Sequence, residues 1–270
     1  MIGIIGNGMV GSRIAKCFKV AGIDIRIYDI KEEKREHELA DLLEADAIFI
    51  CVPTPTIKHQ NITNVIDALN SISNYKGSVI IKSTVLPGTT RKLSEIYDFT
   101  LLHSAEFLNA HGSLCDITKA PQLVVGCERP ISPHLHDVFV KLNQNVVYCS
   151  YEDSEVIKYC CNVFYAIKNS FFNLMRLCCE NVEADYEFVR TASINNGWIH
   201  PMHTYTPGRD GKRGYGGDCL PKDMAAFIKW CEDNNVESGM LLEAHKLNNK
   251  LREMQIESPK IDWEDYFHRA

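Results

Sequence analysis

Ten consecutive residues carry the densest chemistry in the chain: Gly214-Tyr215-Gly216-Gly217-Asp218-Cys219-Leu220-Pro221-Lys222-Asp223. The glycine pair Gly216-Gly217 lets backbone come close to another group. Pro221 suits the first turn of a helix whose apolar face is Met224, Phe227, Ile228 and Cys231. Cys219 is therefore expected just ahead of a helix N-terminus, with Lys222 nearby. Both neighbours favour a thiolate, the reactive form of cysteine, over a thiol. A single cysteine in a glycine-rich turn also has a plain structural reading, and this segment alone does not choose between the two.

A second constellation opens the chain. Gly6-Asn7-Gly8-Met9-Val10-Gly11 follows an apolar run and precedes a helical pattern. In a strand-turn-helix setting the first glycine permits the tight turn and the second lets backbone approach a pyrophosphate. The third allows close helix–strand packing, while the helix N-terminus supplies N–H donors. Asp29 closes the second apolar run, where a carboxylate can hydrogen-bond a ribose diol and repel a 2′-phosphate. Together these features predict NAD rather than NADP. Val52-Pro53-Thr54-Pro55 and Ser83-Thr84-Val85 end two further apolar runs. They are expected at the carboxyl edge of the same sheet, where such folds bind ligands.

The elements needed to position these groups are legible in outline. Strands are predicted at 2–6, 24–29, 47–52, 78–83, 100–103, 122–126 and 145–149, and helices at 10–21, 62–71, 89–97 and 132–142. The strands are nearly continuous in apolar character, as in a parallel sheet buried on both faces. After Cys149 the pattern becomes helical. A long helix capped by Asp153 or Ser154 is expected to run to about Asn181, with shorter helices near 186–194, 222–234 and 239–254. The fold class is α/β: a Rossmann-type doubly wound parallel sheet over residues 1–149, followed by a mainly helical domain over 150–270.

Composition narrows the function classes. The net charge of −6 argues against a nucleic-acid surface. No apolar run is long enough to span a bilayer, and no signal peptide is visible. The eleven cysteines then read as reduced thiols of a cytosolic protein. Neither they nor the histidines show metal-ligand spacing, so no metal is expected.

In combination and order, these blocks resemble the UDP-glucose/GDP-mannose dehydrogenase family, the nucleotide-sugar 6-dehydrogenases. The resemblance is carried by the glycine turn, Val52–Pro55, the run Lys82-Ser83-Thr84-Val85-Leu86-Pro87-Gly88-Thr89, and Ala105-Glu106-Phe107-Leu108. It is completed by the helix bearing Glu155, Lys158 and Asn162, and by the Cys219 segment. It extends from residue 1 to about 253. It implies oxidation of a UDP-glucose-like C6 alcohol to the UDP-glucuronate-like carboxylate in two hydride transfers to NAD, through a Cys219 thiohemiacetal and thioester. In family terms Lys158 and Asn162 stabilise the oxyanion, while Asp223, Thr84 and Glu106 handle water and protons. The spacing of Lys158 and Asn162, i and i+4, sets them on one helix face.

The cofactor set is then Gly6, Gly8, Met9, Val10, Gly11, Asp29, Val52, Thr54, Pro55, Ser83, Thr84 and Lys222. The substrate set is Glu106, Phe107, Leu108, Lys158, Asn162, Arg209, Arg213, Tyr215 and Gly216. Arg209, Lys212 and Arg213 are suited to a diphosphate, or form an exposed basic loop. The long helix is the family's dimer element, so a homodimer is expected.

Two departures stand out. Where the family has a second glutamate after the one matched by Glu106, this chain has Ala110, followed by His111. The sequence also stops before the family's C-terminal UDP-binding domain. An NAD-binding member that is non-catalytic or completed by a partner, and a β-hydroxyacid-type dehydrogenase, remain as alternatives.

Overall fold

The structure, a computed structural model, describes residues 1–56, 59–106 and 120–254. The chain divides into two compact units, one of Met1–Pro55 with Gln60–Lys158, the other of Thr56–His59 with Tyr159–Ala270.

The first unit is built on a seven-stranded sheet. Its strands are β1 (Ile2–Ile5), β2 (Ile25–Tyr28), β3 (Ala47–Ile50), β4 (Ser78–Ile81), β5 (Thr100–His103), β6 (Leu123–Gly126) and β7 (Val146–Cys149), in the order β2-β1-β3-β4-β5-β6-β7. Alternate residues of each strand feed opposite faces. Ile2, Ile4, Phe49 and Ile80 join Phe18 and Phe139 in one apolar cluster. Ile5, Ile48, Ile50, Val79 and Ile81 join Leu69 and Leu101 in the other. Both faces are thus covered by helices, which is why the strands read as unbroken apolar runs. Phe18, Phe49 and Phe139 meet edge to face, with centroids 5.2 and 6.2 Å apart.

Five strands pair in parallel, as do β6 and β7. The sequence predicts a wholly parallel sheet. The β5–β6 junction is instead antiparallel, meeting at His103 and Gly126. A strand buried on both faces has the same apolar pattern in either direction, so direction is not written in it.

Among the described residues the helices of this unit are α1 (Met9–Val20), α2 (Leu39–Leu42), α3 (Thr63–Ser71), α4 (Thr89–Ser94) and α5 (Pro133–Leu142), with a 3-10 turn at Glu32–Lys34. The sequence reading contains neither α2 nor the turn. Four residues are too few to show a period, and α2 is set by a capping box between Glu38 and Asp41.

The long helix α6 (Tyr151–Asn181) begins in the first unit and continues in the second. It starts earlier than a cap at Asp153 or Ser154 predicts. Ser150 takes that role, its Oγ accepting the Asp153 N–H at 3.1 Å, while the Asp153 carboxylate accepts the Ser150 N–H at 3.4 Å. Ser154 points inward, its Oγ 2.8 Å from His103 Nδ1.

The second unit adds α7 (Tyr186–Asn195), α8 (Leu220–Asp233) and α9 (Gly239–Glu253). Tyr159, Phe227 and Trp230 stack at 5.1 and 5.6 Å. The irregular stretch before α8 is pinned by buried asparagines. Asn173 Oδ1 accepts from Thr206 Oγ1 and from the Gly214 N–H, and Asn248 Oδ1 accepts the Tyr215 N–H at 2.7 Å. No helix among the described residues is long and apolar enough to cross a membrane.

Candidate active site

The glycine turn sits between β1 and α1 as expected. Gly6 has φ +98°, and a Cβ on Gly11 would lie 1.8 Å from the Gly6 carbonyl oxygen. A Cβ on Gly8 would meet nothing within 4 Å. Gly8 is the N-cap of α1, which has neither a side-chain cap nor an acidic residue in its first turn. The N–H groups there and their positive potential are left unneutralised by the chain, which suits a pyrophosphate. Val10 is half-buried and Met9 exposed.

Asp29 is buried, and both its oxygens brace the turn. One accepts the Asn7 N–H at 2.7 Å and the other the Lys31 N–H at 2.9 Å. Each carboxylate oxygen keeps a second lone pair for a hydroxyl donor. These features fit a dinucleotide.

The strand ends at the carboxyl edge are tied together. Thr54 Oγ1 donates to the Thr84 carbonyl at 2.8 Å, and Ser83 Oγ donates to the Val52 carbonyl at 2.6 Å. Gln60, which the sequence reading passed over, donates to the same Thr84 carbonyl at 3.2 Å. Pro55 is exposed beside them.

Glu106 follows β5 in the same unit. Its carboxylate lies 3.3 Å from Lys82 Nζ, and its main-chain carbonyl accepts from Lys158 Nζ. Phe107, Leu108, Ala110 and His111 lie outside the described residues. Beneath this group His103 is fully buried. Burial first, then the positive charges of Lys82 and Lys158, push its pKa down to about 3, so the ring stays neutral. Burial likewise pushes the Cys51 thiol up to about 12. Glu155 is sealed at the start of α6, accepting the N–H groups of Gly88 and Thr90 at 2.6 and 2.7 Å. Its burial raises its pKa. Its inclusion in the family block gave no hint of this capping of α4.

In the second unit Cys219 is the N-cap of α8, exposed, with Pro221 in the first turn. The next turn carries Asp223, whose N–H donates to the Cys219 carbonyl at 2.9 Å. Asp223 is buried and doubly held: Asn162 Nδ2 donates to one oxygen at 2.6 Å and Lys222 Nζ to the other at 2.5 Å. Cys219, Lys222, Asp223 and Asn162 are thus gathered at one helix end. Lys158 lies one turn before Asn162 on α6.

Tyr215 is buried, its hydroxyl 2.8 Å from His245 Nδ1. A Cβ on Gly216 would lie 2.8 Å from the Arg252 guanidinium, the far end of a flexible side chain that pairs with Asp210 at 2.6 Å. Arg213 is buried and forms a two-pronged pair with Glu180, while Arg209 is exposed. No group of three or more His, Cys, Asp or Glu suited to a metal occurs among the described residues.

The glycine turn, the acidic end of β2 and the doubly wound sheet define a Rossmann-type NAD-binding protein. Residues 35–143 match the NAD binding domain of the UDP-glucose/GDP-mannose dehydrogenase family, and residues 152–250 match its central domain. The chain belongs to that family.

It is 29% identical over 240 residues to a UDP-glucose 6-dehydrogenase of Bacillus subtilis, covering 80% of this chain and 51% of that one. It is 28% identical over 210 residues to one of Rhizobium meliloti, covering 71% and 47%. The chain therefore spans about half the length of these relatives. Among solved structures, the fold matches a UDP-glucose dehydrogenase of Pyrobaculum islandicum with TM-score 0.80 and 23% identity, over 92% of this chain and 68% of that one. It also matches a 3-hydroxyisobutyrate dehydrogenase of Mycobacterium tuberculosis with TM-score 0.72 and 15% identity, over 92% of both chains.

Proposed function

We propose that the chain oxidises the C6 alcohol of a UDP-glucose-like nucleotide sugar to the carboxylate, using Cys219 as a covalent nucleophile. The observation that carries this reading is the exposed residue Cys219 at the N-cap of α8, one turn before an Asp223 held by Asn162 and Lys222. NAD, when bound, accepts a hydride in each of the two oxidations. The glycine turn, Asp29 and the Val52–Pro55 and Ser83–Thr84 strand ends would hold it.

In this reading the Cys219 thiolate adds to the C6 aldehyde carbon, forming a C–S bond and an alkoxide. Lys158 and Asn162 meet that oxygen with a cation and an amide donor. Loss of hydride from C6 leaves a thioester. Water then adds to it and gives its proton to a carboxylate, Glu106 or Asp223. The C–S bond breaks, the thiolate is regenerated and the sugar leaves as a carboxylate.

The active unit is read as a homodimer, supported by the apolar residues Val156, Phe164, Phe171 and Leu174 exposed along α6. A cytosolic setting is read from the free state of all ten described cysteines.

The test is NADH formation with UDP-, GDP- and TDP-sugars. Two NADH per sugar are expected, and Cys219→Ala abolishes formation of the carboxylate. NAD binding with no turnover of any sugar would sink the proposal and leave a binding protein. One NADH per substrate, insensitive to Cys219→Ala, would favour a β-hydroxyacid-type dehydrogenase. The shared fold with the Mycobacterium tuberculosis enzyme keeps that reading second.

A further inference from the structure

We propose that Lys82 is a positioning residue: its sealed ammonium holds the Glu106 carboxylate in place for the step in which water releases the product. This rests on the reading above, in which Glu106 takes a proton from that water.

Lys82 follows β4, and its N–H continues the ladder to the Ile50 carbonyl at 2.9 Å. Its side chain is 2% exposed, and Glu106's is 11% exposed. An ammonium buried to that degree destabilises the fold unless a partner compensates it. The partners present are the Glu106 carboxylate and Ser104 Oγ, each 3.3 Å from Nζ. Glu106 is thus held at two points, by Lys82 through its carboxylate and by Lys158 through its carbonyl.

The other titratable groups facing this position are Lys158, already engaged by the Glu106 carbonyl, and two more, Cys51 beyond β3 and His103 at the end of β5. Burial keeps both neutral at ordinary pH. Neither can replace the charge of Lys82. Removing it takes away the charged partner 3.3 Å from the carboxylate and leaves Glu106 held through its carbonyl alone. A carboxylate that is no longer fixed meets the attacking water in the productive geometry less often.

The decisive variant is Lys82→Met, assayed in the full chain with UDP-glucose and NAD. Its kcat for carboxylate formation is expected to fall while the KM values for UDP-glucose and NAD stay near those of the wild type. At neutral pH the first NADH should form at a near-normal rate, while carboxylate release slows about tenfold or more. Glu106→Gln and the double variant Lys82→Met/Glu106→Gln complete a cycle. If Lys82 acts through Glu106, the double variant is no slower than Glu106→Gln alone.

An unchanged rate of carboxylate release in Lys82→Met, or losses that multiply in the double variant, would overturn the proposal while leaving the dehydrogenase reading intact. Should Lys82→Met fail to fold, the double variant carries the test, because it removes both members of the buried pair. A rate matching Glu106→Gln supports the proposal, and a lower one rejects it. A wild-type chain that forms no NADH from UDP-glucose or any other sugar rejects the functional reading and this proposal together.

Discussion

His103 closes β5 with no solvent exposure, its Nδ1 on Ser154 Oγ and two lysine ammoniums near by. In an unfolded chain an imidazole takes up a proton near pH 6.5, about its ordinary pKa. In the folded protein it does so only near about 3. Between those values the unfolded state binds more protons, so stability falls as pH drops through that window, by up to about 1.4 kcal/mol per pH unit for this group. Urea unfolding of wild type and His103→Gln between neutral and mildly acidic pH checks this. The variant should show the shallower loss, and equal slopes would refute it. His203, also held neutral by burial, contributes equally to both proteins and cancels in the comparison. Residues of this buried kind were the least legible in the sequence. Cys219, Asp223, Lys158 and Asn162 are singled out by the resemblance to the family's motifs, with which the i, i+4 spacing of Lys158 and Asn162 agrees. Lys82, His103 and Glu155 acquire meaning from partners far along the chain, and no local pattern records those meetings.

The turn from β1 into α1 shows how an element can be set by what is missing. At Gly11 an added methyl would sit 1.8 Å from a main-chain oxygen that cannot rotate away. Gly11→Ala is therefore expected to cost about 2 kcal/mol or more in stability and to weaken NAD binding at least about tenfold, the equivalent of about 1.4 kcal/mol. Gly8→Ala is the contrasting case. Its methyl meets nothing in the chain, so stability should fall only by the modest cost of alanine at an N-cap, about 0.5 to 1 kcal/mol, while NAD titration shows weaker binding. Equal NAD affinity in Gly8→Ala and wild type would contradict a cofactor lying against that position. Elements with a long apolar period or a glycine signature, such as β1, α1 and α6, could be read from sequence within a few residues. The antiparallel entry of β6 and the four-residue α2 could not. Strand direction leaves no mark on an apolar run, and α2 is held by a local carboxylate exchange at Glu38 and Asp41.

At the scale of the whole molecule, the exposed residues Val156, Phe164, Phe171 and Leu174 fall on one side of α6. A second copy covering that stripe would remove several large apolar side chains from water. Sedimentation is expected to show a dimer for the wild type and a monomer for Phe164→Glu/Phe171→Glu, with the fold retained by circular dichroism. A monomeric wild type would remove the case for association. The opening turns of the same helix bear on any attempt to cut the protein into pieces. Tyr151 donates to the Leu101 carbonyl, Ser154 meets His103, and Glu155 satisfies Gly88 and Thr90. A fragment ended at the last residue of β7 would shed all three and leave the Leu101 carbonyl, the His103 ring and the N–H groups of Gly88 and Thr90 without these partners. One carried on to residue 158 would retain them, so the natural place to divide this polypeptide lies inside a helix rather than in a loop.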